Sequence, residues 1–176
     1  MRVTQVQTLL SLYGEASASR VESIATALRA EAMLPKGGRG PYAPAAASDE
    51  IARFAFVAAA APRVADAVDV ARLATELVDE RGMSIEAALV QIIGDAHRAY
   101  AVRRMVAAVA VPMAELELRD GTSRFFFRAQ MWETPHFVPA AQGQGFAGLV
   151  GYLGGAVLVQ LAIARNDVDA AGGYIR

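Results

Sequence analysis

"MAELELRDGTSRFFFRAQM", residues 113–131, alternates apolar and polar side chains in a chain of 176 residues that elsewhere repeats mostly at helical spacing. Leu116 and Leu118 fall on one face and Glu115, Glu117 and Arg119 on the other, a period of two that belongs to a strand. Asp120-Gly121 in the middle is a dipeptide favoured in tight hairpin turns. The stretch therefore predicts strands over 114–119 and 123–130 joined as a β-hairpin. Two strands alone are marginal, so the hairpin must pack on helices or on copies of itself.

Upstream, "MSIEAALVQIIGDAHRAYAVRRMVAA" (83–108) reads as one amphipathic helix. Ile85, Ala88, Leu89, Ile92, Ile93 and Ala96 form its apolar face, and Glu86, Gln91, Asp95 and Arg98 face out. Four helices are predicted before it. Val3, Val6, Leu10 and Tyr13 mark the first, which Gly14 ends. Val21, Ile24, Ala25, Leu28 and Ala32 mark the second, with Ser19 and Glu22 as a capping box. The third starts at Ser48-Asp49-Glu50 and carries Ile51, Phe54, Ala55 and Ala58. Pro62 separates it from a fourth that runs through Val64, Val68, Ala71 and Leu77 to Gly82.

Downstream, no Asp, Glu, Lys or Arg occurs from Thr134 to Ala164. "FAGLVGYLGGAVLVQLAIA" (146–164) has the length of a membrane span. Its Gly-Ala composition and the lack of flanking belts favour a buried or interface helix. Gly148, Gly151, Gly154 and Gly155 would admit another backbone. The predicted fold class is mainly α with a small β-hairpin (α+β). It divides into a head over 1–46, central helices that oligomerise over 47–110, and a hairpin plus C-terminal helix over 111–176.

Composition narrows the function. No cysteine is present, which removes disulfides, cysteine-ligated zinc and thiol catalysis. The start lacks a signal-peptide pattern, so the expected compartment is the cytoplasm, here of a bacterial host cell, with no membrane partner. His97 and Asp95 point to different helix faces, and His136 lies in a Pro-flanked loop. No convergent ligand or acid–base set is visible. The expectation is a protein that is not an enzyme and needs no cofactor or metal.

A net charge of −1 gives no global attraction to nucleic acid, but local patches matter more than the average. Residues 1–46 hold Arg2, Arg20, Arg29, Lys36 and Arg39 against Glu15, Glu22 and Glu31, so this segment is +2 and the rest −3. "LPKGGRGPYAP" (34–44) contains the chain's single lysine and cannot be helical. It lacks the Lys-Ser/Thr and the preceding strand of a nucleotide loop. It suits a wing after a helix–turn–helix, whose second helix would turn Arg20, Ser23, Thr26 and Arg29 to the groove. Lys36, Gly37, Gly38 and Arg39 would then contact phosphates.

"ATALRAEAMLPKGGRGPYAP" (25–44), followed by a helix, resembles small phage and prophage proteins of proteobacteria. In these a helix ending Leu-Arg-x-x-x-Leu-Leu-Pro leads to Gly-Gly-Arg-Gly and then Ala-Pro. The likeness covers roughly residues 18–60. The layout is also similar to that of phage small terminase subunits, with a helix–turn–helix head, central helices that build a ring and a C-terminal β element. The resemblance implies a phage-type, oligomeric DNA-binding protein that acts in DNA packaging or transcriptional control. Its partners would be DNA, copies of itself, and a large terminase or other phage protein. The rival expectation is a phage structural or assembly protein that associates through its helices and its apolar C-terminal segment.

Overall fold

The computed structural model describes residues 1–14, 16–36, 43–109, 112–132 and 150–172. Among these are eight α-helices and five strands. The helices are α1 (Val3–Tyr13), α2 (Ala18–Ala30), α3 (Ser48–Ala60), α4 (Ala67–Glu76), α5 (Ile85–Ile93), α6 (Ala96–Ala101), α7 (Ala129–Trp132) and α8 (Gly155–Gly172). The strands are β1 (Leu77–Val78), β2 (Val102–Ala108), β3 (Met113–Leu118), β4 (Ser123–Arg128) and β5 (Val150–Gly154). They form one antiparallel sheet in the order β1-β4-β3-β2-β5.

The α+β class stands, but the β part is larger than a small hairpin. β3 and β4 pair directly, with Leu116 opposite Arg124 and Ala114 opposite Phe126. Arg119, Asp120 and Gly121 connect them. Gly121 donates to the Leu118 carbonyl at 3.2 Å and has φ +87°, and the Leu118 amide donates to Thr122 at 2.8 Å. That is a type I turn followed by a glycine bulge, the usual three-residue hairpin. The pair meets the stability requirement for a hairpin because β2 adds a third strand and helices cover one face.

Four readings of the sequence give way to the structure. Residues 83–108 are not one helix. Gly94 closes α5, and the Asp95 carboxylate opens α6 by accepting from the His97 and Arg98 amides at 2.8 and 3.3 Å. After six residues the chain becomes β2, where Met105 lies between Leu116 and Leu153 on its two neighbours. The apolar stretch 146–164 is likewise divided, with Val150–Gly154 as an edge strand and α8 beginning only at Gly155. The fourth helix stops at Glu76; Leu77–Val78 pair with β4, and Gly82 turns at φ +79°. The second helix is also capped two residues earlier than expected. Ser17, not Ser19, is the N-cap, and its hydroxyl accepts from the Arg20 amide at 3.4 Å.

The helix-facing side of the sheet buries Met105, Ala107, Leu116, Phe126 and Leu153. Against them pack α3, α5 and α8, and α1 reaches the same core through α8. Residues from 1–46 (Leu28), 47–110 (Phe54) and 111–176 (Leu161) share that one buried cluster. Arg53 of α3 donates from Nε and Nη2 to Glu86 of α5 at 2.7 and 3.2 Å and fixes these two helices together. On the opposite side of the sheet a second small cluster joins Ala108, Met113 and Phe127 with Trp132. Among the described residues no helix is long and apolar enough to cross a membrane.

Candidate nucleic-acid interface

The arginines sort themselves by partner. Nine of them, among the described residues, pair with a carboxylate at 3.9 Å or less. Arg119 donates to the Tyr100 carbonyl at 2.7 Å and lies over that ring. These cations are tied to their own fold and add little to any outward field. Arg29 and Lys36 are different. Neither forms an ion pair among the described residues, and the Arg29 Nε is buried without a hydrogen-bond partner.

The end of α2 brings the two together. Its last turn closes as a Schellman motif, with the Met33 amide donating to Leu28 at 2.9 Å and the Ala32 amide to Arg29 at 3.2 Å. Ala32 occupies the left-handed position at φ 55°, where glycine is the usual residue. The reversal buries Leu34 and leads Pro35 and Lys36 back beside α2. Residues 43–46 meet the chain start, where the Ala46 amide donates to the Met1 carbonyl at 2.9 Å and Arg2 bridges Ala45. A small depression of about 50 Å³ results. Arg2, Arg29, Lys36 and Thr4 line it, with Pro35 and Pro44. Among the described residues no acidic side chain lines this depression, and the amino end of α1 adds its positive dipole end there.

The other predicted contacts fall elsewhere. Arg20 does not face a groove. Its guanidinium turns inward to the Ala61 and Pro62 carbonyls and satisfies the end of α3. Ser23 and Thr26 are exposed on α2, as the spacing predicts, but their hydroxyls donate back to the Ser19 and Glu22 carbonyls at 2.9 and 3.0 Å. They present acceptors outward, next to an exposed Glu22. Gly37, Gly38 and Arg39, like His136, lie outside the described residues. Sequence reasoning missed Arg2 and Thr4. No local spacing signals them, since they reach Arg29 only through the pairing of residues 1–2 with 45–46.

Sequence reasoning also missed Asp79, the one charged side chain in the buried class among the described residues, at 3 % exposure. Its Oδ1 accepts from the Arg81 and Met83 amides at 3.0 and 2.8 Å, and Oδ2 accepts from Arg124 Nε at 2.8 Å. Burial pushes this carboxyl upward, but the bonds from Arg124, Met83 and Arg81 outweigh it and hold it below the ordinary carboxylate value. The group is a clamp between the turn after β1 and strand β4. Comparison with protein-family models, curated proteins and solved structures finds no match for this chain.

Proposed function

We propose that this chain is a non-enzymatic, phage-type DNA-binding protein that grips the phosphate backbone through Arg29 and Lys36, with Arg2 and Thr4 beside them. The observation that carries the reading is that two cations without a carboxylate partner converge on one depression that no acid lines. A phosphate oxygen at the depression would pair with the Arg29 guanidinium and the Lys36 ammonium, neither of which has a carboxylate partner among the described residues. Gly37, Gly38 and Arg39 extend this contact in the proposal as a wing. The exposed face of α2 offers only Ser23 and Thr26 as acceptors beside Glu22, so base readout is weak and phosphate contact dominates. Copies of the chain joined as an oligomer raise a weak single contact by avidity, as packaging or transcriptional control requires.

A shift assay on duplex DNA tests this across a salt series. Binding at low salt should fall steeply as salt rises, and Arg29→Ala with Lys36→Ala should weaken it at least tenfold and reduce the salt slope by about two. No binding at low salt, or a double variant that binds like the parent, ends the proposal. The rival assembly role has one observation in its favour: Ala156 and Ile163 are exposed and Val159 half-buried along the outer face of α8. An assembly protein self-associates and ignores DNA, so solution mass by light scattering with and without the duplex separates the two.

A further inference from the structure

Two hollows lie side by side against the β3–β4 hairpin, one facing the turn after β1 and the other facing α5 and α6. The first, of about 510 Å³, opens between Met83, Ser123, Phe125, Trp132 and the Asp79–Arg124 clamp, with the exposed Glu80–Arg81 pair also on its lining. The second, of about 210 Å³, has Ala88 and Ile92 of α5 on one side, Ala101 and Val102 at its end, and Leu116 and Leu118 of β3 on the other. Gln91 and Arg124 line both, so the hollows share a polar partition. The first falls within the usual size of a small-molecule site, and the second is an apolar annex to it.

The chemistry of the partition is one-sided. Arg124 commits Nε and Nη2 to Asp79, and Nη2 also touches the Met83 sulfur at 3.2 Å. Its Nη1 makes no hydrogen bond among the described residues. Gln91 uses its carbonyl oxygen to accept from Arg98 Nη1 at 2.9 Å, which leaves its amide hydrogens as the unused half of the side chain. Both oxygens of Asp79 are already occupied. What remains at the partition is two donor groups, one of them on a cation, with an apolar hollow immediately behind.

We propose that this groove binds a small carboxylate with an apolar tail. The carboxylate accepts from Arg124 Nη1 and the Gln91 amide. The tail lies among Ile92, Leu116 and Leu118. A hollow of about 210 Å³ equals roughly seven waters' share of liquid and holds a tail of roughly six to eight carbons. The clamp holds Arg124 in place before the ligand arrives, so little side-chain ordering opposes binding. The groove involves neither Arg29 nor Lys36, and the inference stands apart from DNA binding.

Trp132 is the single tryptophan of the chain and lines the outer hollow, so its emission reports occupancy. Sodium octanoate should change that emission in a saturable titration, and calorimetry should give the same midpoint. Hexanoate, two methylenes shorter, should bind roughly tenfold more weakly. Octanol should bind less tightly than octanoate, and octylamine least, because its ammonium meets donors. Gln91→Glu, which replaces the amide donor by a carboxylate, should weaken octanoate severalfold and octanol far less. Ala101→Phe, from an exposed position at the hollow's end, should abolish binding; Leu118→Asp at the rim replaces it if that variant misfolds. Absence of a saturable signal, tighter binding of octylamine, or octanoate binding that survives the filled hollow overturns the proposal.

Discussion

Asp79→Ala should cost about 3 kcal/mol of stability, and the sum can be taken apart. The substitution removes Oδ1, the acceptor of the Arg81 and Met83 amides at 3.0 and 2.8 Å. Each bond that a charged acceptor makes to an amide in this half-buried turn contributes about 1 kcal/mol or somewhat more. The ion pair adds less than its geometry suggests. Arg124 keeps 37 % of its side-chain surface exposed, so water screens it, and its loss contributes at most about 1 kcal/mol. Asp79→Asn keeps the amide acceptor but sets an NH₂ or a neutral oxygen against Arg124, so it should cost roughly half as much. Urea unfolding followed by Trp132 emission measures both, because the indole donates to the Val78 carbonyl at 2.7 Å beside the clamp. A cost below about 1 kcal/mol for the alanine variant would refute the accounting. An asparagine variant as unstable as the alanine one would show that charge, rather than the two amides, dominates. The pH dependence follows from the same bonds. The folded carboxyl lies below its ordinary value, so its contribution is complete above the ordinary carboxylate range and is lost as pH falls through the folded value. The difference in stability between parent and Asp79→Asn should therefore shrink on acidification.

Two backbone positions give predictions of opposite sign. Gly155→Ala should destabilise by about 3 kcal/mol, because the new Cβ would stand 2.1 Å from the Val102 carbonyl and 2.8 Å from that of Arg103, so β2 and α8 must separate; a thermal midpoint equal to the parent's would refute the close approach. Ala32→Gly should stabilise by about 0.5–1 kcal/mol by relieving the left-handed strain at φ 55°. In a chain of this size that raises the melting midpoint by roughly 1–4 °C, and a lower midpoint would place Ala32 in another conformation.

The first three helices were legible because their signals are local. Val3, Val6 and Leu10 share a stripe, as do Val21, Ile24, Ala25 and Leu28, and every one of them is buried. The hairpin strands were legible for the same reason. β2 and β5 were not. Val102–Ala108 continues an Ala-rich amphipathic pattern, and only pairing with Leu116 on one side and Leu153 on the other makes it extended; strand preference depends on neighbours that a local pattern cannot contain. Two local signals were present even so. Gly94-Asp95 is a helix stop followed by a helix start, and Gly154-Gly155 marks the change from strand to helix. Of the glycines read as a seam for another backbone, Gly155 makes the close approach, to this chain's own β2, whereas Gly154 has open space around it.

The candidate interface shows the same division between what is counted and what is placed. Counting charges over 1–46 gives +2, a small excess for gripping a polyanion. Placement changes its meaning. Arg20 leaves the count because it caps α3, yet Arg2, Arg29 and Lys36 gather at one depression. Glu22 precedes Arg29 by seven residues on the same helix, roughly 10 Å along the axis, which is about one Debye length at physiological salt. Its repulsion is therefore largely screened at the distance where a phosphate would meet Arg29. Arg29 and Lys36 bring two cations without a carboxylate partner among the described residues to that point, with Arg2 beside them, while the nine paired arginines elsewhere contribute almost nothing to the field. A salt slope set by about two contacts per chain follows from this placement, and it is shallow enough that tight binding would require several copies acting together.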